Sequence, residues 1–148
     1  MNLRSSSSSS NENPSISLIP LAKEAISAGF PSPAEDYMDP GIDLNKYLIK
    51  NPISTFFLRV NGNSMNNAGI YNNDLVIIDR SINPIPGHIV VAILDGEFTL
   101  KRLVKDQGTY FLKADNPNYP AINLYKYVAI QIWGVATYSI HKLQKTNI

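Results

Sequence analysis

The residue pattern predicts a mainly β, compact domain of short strands, preceded by a flexible N-terminal arm. Three observations carry that expectation. Short runs rich in Val, Ile, Phe and Tyr recur from Thr55 to Ile140, with turn-forming residues between them. Little helical periodicity is visible beyond residue 70. The chain instead begins with a polar tract, serine at every position from 5 to 10 and then Asn11-Glu12-Asn13-Pro14, which has too little apolar surface to offset the entropy of ordering. The arm is expected over residues 1–40, holding a disordered start, and the β-rich domain over residues 41–148.

Taken in order, the elements follow from local chemistry. Pro20 is placed to open a brief helix over residues 21–26, which Gly29 would end. Pro31, Pro33 and Pro40 keep the next stretch extended, since proline disfavours helix at itself and at the residue before it. Asp43 is a natural cap for a short helix over residues 44–50, stopped by Pro52. Thr55-Phe56-Phe57-Leu58-Arg59-Val60 begins the strands, and Leu75-Val76-Ile77-Ile78 follows a turn at Asn72-Asn73, where asparagine tolerates positive φ. Residues 88–94 run into Asp95-Gly96, the strongest short hairpin signal in the chain, and residues 97–104 return. Tyr110-Phe111-Leu112-Lys113 and residues 128–140 complete the set.

Composition excludes several function classes. The chain has 148 residues, 44% of them hydrophobic and 17% charged, as in an ordinary water-soluble domain. A net charge of +1 is too small for a chain that grips nucleic acid through its phosphates, so no direct sequence-specific DNA binding is expected. Without cysteine there is no disulfide, thiol chemistry or cysteine-based zinc site. The two histidines, His88 and His141, are far apart in sequence and have no cluster of ligands, so neither a metal nor a cofactor is expected. The start lacks the apolar core of a secretory signal, and no window reaches the ~20 apolar residues of a membrane span. The expectation is a cytoplasmic protein with no membrane partner.

Ser64 and Lys101 are the candidate catalytic residues. A serine hydroxyl attacks a carbonyl poorly unless a neighbouring base takes its proton, and a desolvated lysine can be that base. Each residue also has a plainer reading. Ser64, after a glycine-containing turn and before Met65-Asn66-Asn67-Ala68, has the setting of a helix N-cap. Lys101 alternates with Glu97 and Thr99, which describes a solvated strand face. Ala28-Gly29 alone reads as a helix end.

The wider motif context favours the chemical reading. Gly62-Asn63-Ser64-Met65, Asn73-Asp74-Leu75-Val76-Ile77-Ile78-Asp79, Gly87-His88-Ile89-Val90 and Asp95-Gly96-Glu97-Phe98-Thr99-Leu100-Lys101 occur in that order. Leu112-Lys113-Ala114-Asp115-Asn116-Pro117-Asn118-Tyr119-Pro120 follows them. Together these blocks resemble the self-cleaving serine peptidase domain of the LexA/UmuD family. Residues 28–37 and Ile42-Asp43-Leu44-Asn45 are similar to its UmuD branch, and the resemblance runs from about Ala28 to Val135. The chain departs from the pattern at Asn63 and Asn73, where aspartate and glycine are frequent, and at His88, which replaces a frequent aspartate.

The resemblance implies that Ser64 is the nucleophile, Lys101 the general base and Ala28-Gly29 the bond that is cut. It further implies a homodimer, cleavage promoted by a RecA filament on single-stranded DNA, and a trimmed product that serves a UmuC-type translesion polymerase. The alternative within the family is a LexA-like or phage-type repressor fragment. A helix-turn-helix needs about three helices, and the 28 residues before Gly29 do not supply them. A signal peptidase shares the chemistry but is expected to carry a membrane anchor. If the protein is instead a binding module without activity, Ser64→Ala would leave processing unchanged.

Overall fold

The computed structural model describes residues 18–22, 25–26, 28–29, 38–127 and 129–144. They fall in two units, Met1–Lys50 and Asn51–Ile148. The serine tract and the prolines at 31 and 33 lie outside the described residues.

In the first unit, strand β1 (Ile19–Ala22) pairs antiparallel with β2 (Met38–Ile42). The helix expected over residues 21–26 is therefore not formed: Leu21 and Ala22 are in β1, and Ala25 and Ile26 are not helical. Pro20 explains the outcome. It has no N–H for a strand ladder, and the register shifts between Ile19 and Leu21, where that missing donor does least harm. Gly41 permits the pairing, because a Cβ there would lie 2.7 Å from Leu18 Cβ at a φ of +132°. Helix α1 (Leu44–Leu48) starts where expected, with the Asp43 carboxylate accepting from the amides of Asn45 at 3.0 Å and Lys46 at 3.3 Å. It ends two residues early, at Ile49, which is extended.

The second unit opens on a 3₁₀ turn at Pro52–Ser54 and continues as strands β3 (Thr55–Arg59), β4 (Leu75–Asp79), β5 (Ile89–Leu94), β6 (Glu97–Asp106), β7 (Thr109–Lys113), β8 (Ile122–Asn123) and β9 (Ile130–Ile140). They form one seven-stranded sheet in the order β3-β4-β9-β5-β6-β7-β8, with every neighbouring pair antiparallel. The mainly β expectation holds. Asp95 and Gly96 both adopt positive φ, 49° and 79°, the turn whose twist suits two antiparallel strands. Gln107 and Gly108 repeat that geometry between β6 and β7, at 45° and 80°.

Strand β9 is inserted between β4 and β5 and so joins the two halves of the sheet. Gly134 lets it approach β4, since a Cβ there would lie 2.5 Å from Ile78 Cγ2. The central strands are covered on both sides. Val90 and Val91, consecutive on β5, are buried in separate apolar clusters, one with Ala92, Leu103, Leu112 and Val135, the other with Met65, Ile70, Val76 and Ile78. A strand buried on both faces reads as a continuous apolar run, which is why residues 75–78 and 89–94 do not alternate cleanly.

Candidate active site

The segment between β3 and β4 carries Ser64 on a turn set by its own sequence. Gly62 has a φ of +102° with no atom near its missing Cβ, so glycine is required there by backbone angle and not by space. Its amide donates to Asn72 Oδ1 at 2.8 Å, tying the turn to the Asn72-Asn73 corner. Met65 plants the turn in the core against Ile70, Val76, Ile78 and Val91. A single 3₁₀ turn at Asn66–Ala68 follows, with Met65 at its cap position and no side-chain capping bond. The N-cap reading of Ser64 is thus overturned.

The serine hydroxyl meets Lys101. Nζ of Lys101 lies 3.1 Å from Ser64 Oγ, and it donates to Thr99 Oγ1 at 3.0 Å and to the Leu100 carbonyl at 3.1 Å. Lys101 is only 8% exposed, so the solvated-face reading fails as well. Glu97, at the hairpin end of the same row, is exposed; the row sinks into the protein as β6 leaves the turn. Thr99 shares a side of β6 with Lys101, as strand alternation requires, and this places its hydroxyl within reach. Burial lowers the lysine pKa from its ordinary value, because a charged amine loses hydration there and gains only neutral oxygens in exchange.

Proton counting shows what this arrangement can do. An ammonium has three protons for three acceptors. A neutral amine has two, enough for Thr99 and Leu100, and its lone pair is then left facing the Ser64 hydroxyl. The pair lines a cleft of about 360 Å³ whose walls include Leu58, Val60, Phe98, Leu100 and Tyr119. That space suits an extended peptide segment with small or apolar side chains.

A second set of contacts holds the turn from outside. Asp115 and Asn116, just beyond β7, bond to it at several points, and Arg102 pairs with the Asp115 carboxylate. Asp115, by hydrogen bonding and charge, raises the Arg102 pKa above its ordinary value. Sequence reading missed these residues and Thr99. Thr99 had a usable signal, its position two before Lys101; Asp115 and Asn116 stood in a motif block without an assigned role, and nothing pointed to Arg102 as a partner 13 residues from Asp115.

The four site residues predicted from sequence divide in two. Ser64 and Lys101 are brought into contact. Ala28 and Gly29 belong to the first unit, where they form an exposed bend. Of the histidines, His88 Nδ1 accepts from the Ile85 amide at 3.4 Å, and His141 Nδ1 lies 2.5 Å from Asp74 Oδ1. Among the described residues no group of three His, Cys, Asp or Glu side chains is placed to hold a metal ion. No helix among them is long and apolar enough to cross a membrane.

These features define a class: a mainly β domain in which a hydroxyl-bearing turn faces a buried lysine in a peptide-sized cleft. Comparison with known proteins gives the family. The Peptidase S24-like family matches residues 20–137, a span that contains Ala28, Gly29, Ser64 and Lys101. The chain is 43% identical over 136 residues to Protein SamA of Salmonella typhimurium, covering 92% of this chain and 94% of SamA. It is 43% identical over 127 residues to Protein ImpA of Escherichia coli, covering 85% and 86%. It is 38% identical over 133 residues to Protein MucA of Escherichia coli, covering 82% and 84%. The chain belongs to the Peptidase S24-like family, and at the level of the family it is a serine peptidase.

Proposed function

We propose that this protein is a UmuD-like peptidase that cuts its own chain between Ala28 and Gly29. The observation that carries the reading is the 3.1 Å contact between Ser64 Oγ and a buried Lys101 Nζ whose other partners are uncharged oxygens. The exposed bend at Ala28 and Gly29 supports it, since a scissile segment has to be accessible and small side chains leave the carbonyl open to attack.

In this mechanism Lys101 is neutral when the cleft is filled. Its lone pair takes the Ser64 proton as Oγ attacks the Ala28 carbonyl carbon. The tetrahedral intermediate collapses, the C–N bond breaks, and the lysine returns the proton to the departing amine of Gly29. An ester joins Ala28 to Ser64 until water, deprotonated by the same lysine, hydrolyses it. Backbone N–H groups at the Ser64 turn are the candidate donors to the oxyanion. The amide of Ser64 has no backbone acceptor among the described residues.

The same reading makes the protein a cytoplasmic homodimer whose cleavage is promoted by a RecA filament on single-stranded DNA. Its trimmed form would act as accessory subunit to a UmuC-type polymerase in error-prone translesion synthesis. The direct test is mass spectrometry of the purified protein and of Ser64→Ala after alkaline incubation. A fragment beginning at Gly29, formed by the parent and not by the variant, is the expected result. A fragment of equal yield from both would remove Ser64 from the mechanism.

A further inference from the structure

Lys101 and Arg102 are neighbours on β6, and successive side chains leave a strand on opposite sides. Lys101 touches Ser64 directly. Arg102 reaches the same turn through an intermediary. Its Nε donates to the two Asp115 oxygens at 3.1 and 3.0 Å, and its Nη2 donates to Oδ2 at 2.5 Å. Nη1 is held by the Gly87 carbonyl at 2.7 Å. The backbone of Asp115 then grips the turn: its carbonyl accepts from the Asn67 amide at 2.9 Å, and its own amide lies 3.4 Å from Met65 Sδ. Next to it, Asn116 Nδ2 donates to the Asn63 carbonyl at 2.9 Å. Contacts therefore fall on both sides of Ser64, at 63, 65 and 67.

We infer that the Arg102–Asp115 pair positions the Ser64 turn against Lys101, fixing the 115–116 loop and through it the hydroxyl relative to β6. The inference rests on the proposed reading of Ser64 and Lys101 as the reacting pair. One strand supplies both the lysine and the arginine, so the two ends of the reacting geometry share a single reference. The 3₁₀ turn after Ser64 has no capping side chain, and the 115–116 contacts add to the ties made by the Asn72 bond to the Gly62 amide and by buried Met65. A forked guanidinium–carboxylate pair resists both sliding and rotation, which a single ammonium does not. Arg102 and Asp115 are positioning residues; neither touches the reacting atoms. A displacement of ~1 Å at a reacting centre can lower a rate by roughly 10²-fold.

An electrostatic role would behave differently. Asp115→Asn leaves the guanidinium uncompensated near Lys101, which favours the neutral amine and moves the pH midpoint of self-cleavage down. Arg102→Gln leaves the carboxylate and moves it up. The experiment measures self-cleavage per folded molecule across neutral to alkaline pH for the parent, Asp115→Asn, Arg102→Gln and Arg102→Lys. Hydrogen exchange of the Asn67 amide is followed in the same series built on Ser64→Ala. Positioning lowers the alkaline plateau by about tenfold or more in all three variants, leaves the midpoint in place, and speeds exchange at Asn67 while Ile77 in β4 is unaffected. An unchanged plateau, opposite midpoint shifts, full activity in Arg102→Lys, or unchanged exchange at Asn67 would each overturn the inference. If the parent yields no fragment, the peptidase reading fails, and Asn67 exchange alone decides whether the pair holds the turn.

Discussion

Asp79 and Lys101 belong to the same sheet and are both nearly closed to solvent, 5% and 8% exposed, yet their surroundings treat charge in opposite ways. Asp79 Oδ1 accepts from the Ser54 hydroxyl at 2.9 Å and from the Ser81 amide and hydroxyl at 2.8 and 2.6 Å, while Oδ2 accepts from Asn51 Nδ2 at 2.8 Å. Burial alone would raise its pKa, but the bonds from Ser81, Asn51 and Ser54 together outweigh it and hold the carboxyl down at about 2. Lys101 has only neutral acceptors, so burial acts on it unopposed. Partners decide whether the charge of a buried ionisable group is supported, as at Asp79, or disfavoured, as at Lys101. The Asp79 corner fastens the entry of β3 to the exit of β4; at the Lys101 corner a neutral amine would turn its lone pair to a hydroxyl.

The contrast can be broken most severely at the lysine. Lys101→Ala removes the base, and Lys101→Arg puts in its place a guanidinium that does not deprotonate. Both should reduce self-cleavage by about 10²–10⁴-fold, read as fragment yield by mass spectrometry, while circular dichroism shows the sheet intact. The next effect is on pH. Only the neutral amine is a base, so the rate should rise about tenfold per pH unit below the lysine pKa and then level off. A rate that is flat from neutral to alkaline pH would exclude Lys101 as the base.

At the other corner, Asp79→Asn should destabilise the protein by about 1–3 kcal/mol, since a carboxylate serving four donors is replaced by an amide that accepts through one atom. Urea unfolding checks it. Because the folded pKa is depressed, the stability Asp79 contributes is present above the ordinary value of 3.8 and is lost as pH falls through about 2. Acid unfolding of Asp79→Asn should be correspondingly less steep in that window. The smallest change is expected from Lys101→Met, and it has the opposite sign: a gain of about 1 kcal/mol at neutral pH. The lysine pKa is lowered in the folded state, so the unfolded chain binds more protons between that value and 10.5, and stability rises with pH across this interval. The advantage of methionine should shrink over the same interval. If Lys101→Met instead lost stability at every pH, burial of the lysine would carry no penalty and the comparison with Asp79 would fail.

Much of the β architecture was legible because it rests on local chemistry. Asp95-Gly96 announced its hairpin through residues that accept positive φ, and Asp43 announced α1 through its cap. The misread helix at residues 21–26 shows the limit. Pro20 opens a helix or sits at a register shift equally well, and the choice fell to pairing with Met38–Ile42, a partner no local window contains. Gln107-Gly108 was passed over because glutamine gives no turn signal of its own; the strands on either side impose its φ of 45°. At the site, Ser64 and Lys101 were picked out by ordered motif blocks. Thr99, Arg102, Asp115 and Asn116 were not assigned roles, since contacts between a strand and a distant loop leave no periodicity to read.

By itself, the sequence determined which segments extend, where they reverse and which residue types were available for acyl-transfer chemistry, because backbone sterics and side-chain composition act within a few positions. Folding decided the rest. It inserted β9 between β4 and β5, brought together two side chains 37 residues apart, and buried the lysine among neutral oxygens. Desolvation is a property of assembled surroundings and not of a lysine in its strand, so only the tertiary structure could lower its pKa.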